Sequence, residues 1–145
     1  MSSCKHILVV SCLVRNVADQ ILLVRHRQRG WELPQGRVEE GEELLTALHR
    51  EVLEESGIQL AVPRLAVIWS KLSEPGAVIF CFTAQYASGS PTVSEETPEV
   101  AWFDAGETLQ QVSHPVNRDR LIALLEHEGD LQFRSYRTSP YRVLS

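Results

Sequence analysis

Gly36-Arg37-Val38-Glu39-Glu40-Gly41-Glu42-Glu43-Leu44-Leu45-Thr46-Ala47-Leu48-His49-Arg50-Glu51-Val52-Leu53-Glu54-Glu55-Ser56-Gly57-Ile58 is the stretch on which the reading of this chain turns. Its apolar positions recur with helical period, and Gly57 supplies a left-handed stop. Glu42 and Glu43 fall in the first turn, at the positive end of the helix dipole, so a helix is predicted over 43–56. On that helix Glu51, Glu54 and Glu55 stand at i, i+3 and i+4 and share one face. Three like charges at that spacing oppose the helix by a few tenths of a kcal/mol per pair. Arg50 is the only basic side chain nearby. The acidic arc also contains Ala47 and abuts Leu44, Leu45, Leu48 and Val52, so one edge adjoins the side that should be buried, where a merely solvated stripe of carboxylates is costly. A bound divalent cation would relieve both problems.

The fixed positions are Gly36, Glu42, Arg50, Glu51, Glu54, Glu55 and Gly57, with aliphatic Val52 and Ile58. An accidental match from average composition is on the order of one in 10⁷ to 10⁸. This pattern resembles the signature of the Nudix hydrolases with every fixed position present. The downstream strands and the Trp-containing segment are similar to that family too. The resemblance implies an α/β class fold, an α/β/α sandwich around a mixed β-sheet, formed by residues 1–145 as one Nudix domain. It implies a metal-dependent hydrolase that cleaves the pyrophosphate bond of a nucleoside diphosphate linked to another group.

The same resemblance assigns roles. Glu51 and Glu55 are the expected direct ligands of Mg²⁺, with Mn²⁺ as an alternative. Glu54 is a further ligand or positions the attacking water, and the main chain of Gly36 joins the coordination sphere. Arg50, with Glu42, orients the acidic cluster. A glutamate outside the helix often serves as an additional ligand or base, carried on a loop before a Trp-containing strand. In 93–103 that is Glu96, with Glu95 and Glu99 as rivals, and such a glutamate is expected to be mobile. Oxygen donors suit a hard ion, which can activate water and neutralise charge on phosphoryl oxygens.

Outward from this stretch, Ile7 to Val14 and Gln20 to Val24 are β-branched and aliphatic runs around a polar turn, which predicts a hairpin. Trp31 to Gly36 reads as a loop, with Pro34 lacking a donor and Gly36 permissive. A short strand is predicted over 37–39. Strands are predicted over 61–72 and 77–87, joined by the turn Ser73-Glu74-Pro75-Gly76, and over 100–103. Leu121, Ile122, Leu124 and Leu125 predict a second helix over 117–127. The segment 131–144 has no clear period.

The chain has 145 residues and a net charge of -5, which suits one domain and argues against an extended nucleic-acid surface, although an RNA 5'-end remains compatible. Of its 14 basic residues 12 are Arg, whose planar fork suits phosphate oxygens, though base composition of the genome explains the bias equally. Cys4, Cys12 and Cys81 have no ligand spacing and read as reduced core thiols of a cytoplasmic protein. The N-terminus lacks the succession of a signal peptide and no apolar run could span a bilayer.

Specificity is less legible. Arg25, Arg27 and Arg29 alternate ahead of the acidic stretch and, with Arg37, either meet a terminal phosphate or form a solvated basic strand end. Trp31, Trp69, Phe80 and Tyr86 either stack on a base or fill the core. His26, His49, His114 and His127 read as surface or packing residues. Trp31 to Gly36 is similar to the entry loop of oxidised-nucleotide triphosphatases and of enzymes acting on dinucleoside polyphosphates or triphosphorylated RNA ends. In the latter, a second Gly commonly follows Pro-Gln-Gly, and Arg37 stands there instead. Pro75 lies where ADP-ribose hydrolases often carry a Pro, so an ADP-ribose-type pyrophosphatase is an alternative. A non-catalytic nucleotide-binding Nudix module is another, disfavoured because such modules usually lose acidic positions that are all kept here. A calcium loop does not fit acids carried on a helix.

Overall fold

The computed structural model describes residues 3–145. β1 (Ile7–Arg15) and β2 (Ile21–His26) are the predicted hairpin, closed at Arg15 and Ile21. Its turn is held by the Asn16 side chain, whose Oδ1 accepts the Ala18 and Gln20 N–H groups. Past the turn the two strands part. β3 (Gly30–Glu32) pairs with β2, while β4 (Gln35–Arg37) pairs with β1 between Val9 and Ser11. The predicted strand over 37–39 therefore sits two residues earlier, because Gln35 and Gly36 continue the ladder begun where Cys12 N–H reaches the Pro34 carbonyl.

α1 (Leu44–Ser56) starts after Glu43, its N-cap, so no acidic residue lies in its first turn. This corrects the expectation that Glu42 and Glu43 compensate the helix dipole from within that turn; Glu42 is turned to another use, described below. β5 (Gln59–Lys71) and β6 (Ala77–Ser88) form a long antiparallel pair. β6 also runs parallel to β1 from Ile7/Ala77 to Arg15/Gln85, which makes the sheet mixed. β7 (Glu99–Phe103) adds to β2.

α2 (Ala105–Gln111) was not anticipated, although Asp104 three residues before Glu107 is a helix-start signal and the Glu107 carboxylate does accept the Asp104 N–H at 3.0 Å. α3 (Pro115–Glu126) begins two residues before the predicted 117, with Pro115 in the first turn, where its missing N–H costs nothing. The aperiodic end of the chain contributes β8 (Gln132–Arg137), parallel to β5, and β9 (Arg142–Val143).

Alternation along the strands divides the core in two. Val10, Cys12, Val14 and Phe82 face Ala47, Leu48 and Val52 of α1. Leu13, Leu23, Ile79 and Trp69 face Leu121 and Leu124 of α3. The result is the expected α/β class, a mixed sheet between helices. Cys12 and Cys81 are buried within it, but Cys4 is exposed rather than a core thiol. Among the described residues no helix is long and apolar enough to cross a membrane.

The end of α1 is moulded to a neighbour. Gly57 takes φ +78 and closes the helix through its N–H to the Leu53 carbonyl. A Cβ there would come within 2.6 Å of Thr92 Cβ and 2.7 Å of the Ser90 carbonyl. Gly57→Ala therefore meets both the left-handed penalty of about 1–2 kcal/mol and a backbone clash. It is expected to destabilise the protein by about 2 kcal/mol or more, lowering Tm by about 4–8 °C in a thermal scan. An unchanged Tm would mean that the 89–92 segment does not rest on the helix end.

Candidate functional site

The parting of β1 and β2 opens a cleft of about 690 Å³ beside β4, between the C-terminal half of α1 and the N-terminal end of α3. Because Ala47, Leu48 and Val52 are pulled onto the sheet, the helix turns its acidic arc toward this opening unevenly. Glu51 and Glu55 border the cleft and are mostly buried, at 14% and 7% exposure. Glu54 is 59% exposed and lies outside the lining. Gly36 and Arg37 border the cleft too, with Gly36 against the Glu51 carboxylate, and Glu96 stands there as well. Glu95 and Glu99 do not; Glu99 is paired with Arg25.

Arg50 resolves the crowding of the acids more fully than the sequence suggested. Its five N–H donors are all engaged. Nε donates to Glu42 Oε2 at 2.7 Å, and Nη2 to Glu42 Oε1 at 2.9 Å and to the Arg37 carbonyl at 3.1 Å. Nη1 donates to Glu51 Oε1 at 2.9 Å and to Glu54 Oε2 at 3.2 Å. One guanidinium thus ties the loop at Glu42 and the strand at Arg37 to the helix. A single planar fork reaches two of the three helix glutamates together with Glu42, and makes no bond to Glu55. Correspondingly, among the described residues no acidic, imidazole or thiol trio stands ready-made to hold a cation.

The protonation equilibria follow from these partners. The Arg50 guanidinium, helped by the Glu39 N–H, holds the Glu42 carboxyl down to about 2. Burial pushes Glu51 up, against the pull of Arg50. Burial pushes Glu55 much further, to about 8, even though its Oε1 accepts the Gln35 N–H at 2.8 Å. In metal-free protein the folded chain then keeps the Glu55 proton up to about pH 8, whereas the unfolded chain releases it near 4.5. The folded state binds more protons in that window, so stability falls as pH rises through it. Melting curves in EDTA are expected to show this decline for the wild type and a flatter one for Glu55→Gln; equal slopes would show that Glu55 is not desolvated.

The inner floor of the cleft is a polar network that the sequence did not reveal. Glu32 is 1% exposed, and Arg29 grips it through Nε and Nη2 at 2.7 and 3.1 Å. Gln35 Nε2 donates to Glu32 and to Asn117 Oδ1, at 2.5 and 3.2 Å. Arg120 Nη1 donates to Gln35 Oε1 at 2.9 Å and Nη2 to the Tyr136 hydroxyl at 3.1 Å. Asn117 and Arg120 stand at i and i+3 on α3, which puts both on the face over the cleft. That spacing was the available signal, but nothing local connects it to a loop some 80 residues away.

The expected phosphate-binding arginines are divided by the fold. Arg29 and Arg37 border the cleft. Arg25 is drawn to Glu99, its register partner on β7, and Arg27 to the Glu95 carbonyl, and neither lines it. Trp31, Trp69, Phe80 and Tyr86 also stay out of the lining. Trp31 packs edge-on against Phe103 and Tyr86 against Trp102, while Trp69 is 2% exposed against Tyr136, whose phenol borders the cleft. His26 and His114 do border it, unlike surface residues, and burial lowers the His114 pKa.

Comparison with known proteins bears on this geometry. The sequence model of the NUDIX domain matches residues 5–125. The chain is 31% identical over 116 residues to the 8-oxo-dGDP phosphatase NUDT18 of Danio rerio, covering 74% of this chain and 35% of that protein. It is 35% identical over 135 residues to the NAD-capped RNA hydrolase NudC of Pasteurella multocida, covering 86% of this chain and 50% of that one. The chain therefore spans about a third and a half of these relatives' lengths. A MutT protein structure from Bacillus halodurans superposes with a TM-score of 0.79 at 26% identity, covering 96% of this chain and 95% of the other.

Proposed function

The chain belongs to the Nudix hydrolases, which act on phosphoanhydride bonds, and from that premise we propose that it cleaves the pyrophosphate bond of a nucleoside triphosphate, oxidised nucleotides included, in a metal-dependent reaction. A dinucleoside polyphosphate or RNA 5'-end belongs to the same reading. The observation that carries it is one cleft lined both by buried carboxylates beside Gly36 and by amide and guanidinium groups. Its volume of about 690 Å³ is that of a small-molecule site.

The residues fit a hard divalent cation. The donors are oxygens only. Burial holds Glu51 and Glu55 above their ordinary range, as expected of acids awaiting a positive charge. At Gly36 the space of a side chain is taken by the Glu51 carboxylate, whose Oε2 would lie 2.1 Å from a Cβ. Glu51, Glu55 and the Gly36 main chain would hold Mg²⁺ or Mn²⁺, with Glu54 and Glu96 as further oxygen donors. Bound there, the ion supplies charge neutralisation on the phosphoryl oxygens and a more acidic water.

The protein's own groups do the remaining work. Arg50 and Glu42 keep Glu51 and Glu54 oriented. Glu96, at the cleft, accepts the proton of the attacking water as its oxygen bonds to phosphorus and the bridging P–O bond breaks. Arg29 and Arg37 place guanidinium groups beside the phosphates, and Gln35, Asn117 and Arg120 meet the base.

One observation favours a second reading, an ADP-ribose-type pyrophosphatase: Pro75 and Lys71 border the same cleft. A panel of nucleoside triphosphates, oxidised dGTP, ADP-ribose, dinucleoside polyphosphates and triphosphorylated RNA, assayed with Mg²⁺ and with Mn²⁺, separates the two. The highest kcat/KM is expected for a nucleoside triphosphate. A preference for ADP-ribose would move the assignment to the second reading, and no turnover of any compound would reduce the protein to a binding module.

A further inference from the structure

The segment that carries Glu96 is not a free flap. Glu95 and Glu96 are the two central residues of a turn closed by Ser94 and Thr97. The Ser94 N–H donates to the Thr97 carbonyl at 3.0 Å, and the Thr97 N–H to Ser94 Oγ at 3.1 Å. The two hydroxyls lie 2.6 Å apart. Thr97 is fully buried, and its hydroxyl donates to the backbone carbonyl of Glu55 at 2.8 Å. Since the Thr97 proton is committed there, the Ser94 hydroxyl supplies the proton between the two oxygens.

The acceptor gives this bond its meaning. The last carbonyls of a helix lack intrahelical partners, and in α1 the loop provides them. Thr92 N–H serves Ser56 and Thr97 Oγ1 serves Glu55. Two glycines let the surfaces touch: a Cβ at Gly89 would stand 2.3 Å from the Gly57 carbonyl, and one at Gly57 would meet Thr92. From the other side, Arg27 donates its N–H to the Glu96 carbonyl at 3.2 Å and its Nε to the Glu95 carbonyl. The turn is gripped at both flanks, and its two acids divide: Glu96 borders the cleft and Glu95 does not.

We propose that Thr97 is a positioning residue for catalysis, which sets Glu96 against the helix carboxylates by joining its turn to the backbone of Glu55. The proposal rests on the pyrophosphohydrolase reading above. One buried hydroxyl registers two acids that lie 41 positions apart in the chain. Arg27 serves the same turn rather than a phosphate.

Thr97→Val keeps the shape and removes the hydroxyl; Thr97→Ser restores it. On the best substrate of the panel, Thr97→Val is expected to lower kcat by about tenfold or more with KM within about twofold, a loss on the scale of a misplaced reacting group. Thr97→Ser is expected to stay near wild type. In a Glu96→Gln background Thr97→Val should add little, because there is no longer a carboxylate to aim. Hydrogen exchange supplies a readout independent of turnover: the Thr97 and Ser94 amides should lose protection in Thr97→Val and keep it in Thr97→Ser.

Undiminished kcat in a folded Thr97→Val protein would overturn the proposal, as would a full multiplicative loss on top of Glu96→Gln, which marks a purely structural brace. If Thr97→Val does not fold, Thr97→Ala decides: it removes the same hydroxyl without setting a methyl against the Glu55 carbonyl, and a wild-type kcat there would equally overturn the proposal. Failure of the underlying reading looks different. It would show as wild-type protein inactive on the whole panel, or as Glu55→Gln retaining full turnover, and would take this proposal with it.

Discussion

Glu55→Gln is expected to lower turnover by at least about a hundredfold, the scale of a lost ligand or acid–base group, while making the metal-free protein no less stable. The two effects have opposite signs for one physical reason. Glu55 is 7% exposed, and burial is the largest influence on its protonation, so its charge is unfavourable until a cation meets it. The amide keeps the acceptor that Oε1 offers to the Gln35 N–H and leaves the packing intact. What it removes is the capacity to ionise when a cation arrives, and it turns an N–H₂ donor toward the cleft. Steady-state rates with saturating Mg²⁺, beside melting curves in EDTA, test both halves. A variant that keeps a tenth or more of wild-type turnover would show that Glu55 is not part of the metal site, and a lower Tm in EDTA would show that its charge is already compensated.

Gly36→Ala is expected to abolish most activity, by about a hundredfold or more, with little loss of stability. A Cβ at Gly36 would fall 2.1 Å from both Cδ and Oε2 of Glu51. No backbone strain is involved, since Gly36 does not have positive φ. The nearest atoms belong to the far end of a flexible side chain, so the fold can yield by swinging the carboxylate away from the site. The cost then falls on function. The rise in Tm on adding Mg²⁺ or Mn²⁺, expected for the wild type because binding to the native state stabilises it, should be lost in this variant. If the rise in Tm and the turnover both survive, the close approach of backbone and carboxylate at Gly36 has no part in the reaction.

These expectations show how far local sequence reaches. The period of 44–56, the stop at Gly57 and the spacing of Glu51, Glu54 and Glu55 are properties of neighbouring residues, and α1 forms where they require it. The hairpin and the strands over 61–72, 77–87 and 100–103 were equally legible, because alternation and turn residues are local, and only ends moved, as at β4, where pairing with β1 set the boundary. β3, inside the stretch read as a loop, and β8 and β9, in the aperiodic end, were not, because they are made by pairing with β2, with β5 and with each other. The helix α2 was missed because seven residues give too short a window for a period, and its capping signal was the sole trace.

What the sequence by itself determined is therefore the kind of chemistry: a family signature, a helix that gathers carboxylates, and a glycine where the backbone must come close. Which oxygen each donor meets was decided by tertiary structure alone. Arg50 spans eight positions to Glu42, Arg25 turns 74 positions away to Glu99, Arg120 crosses 85 to reach Gln35, and Thr97 reaches back 42 to the carbonyl of Glu55. Periodicity carries information over a few residues, whereas these partners are brought together by sheet register and by burial on either face of it. Burial also sets the protonation of Glu55, a property of the medium around the group and not of the residue. A pattern of neighbours can name the acids; only the packed fold decides which are desolvated, which are already paired, and which face the cleft.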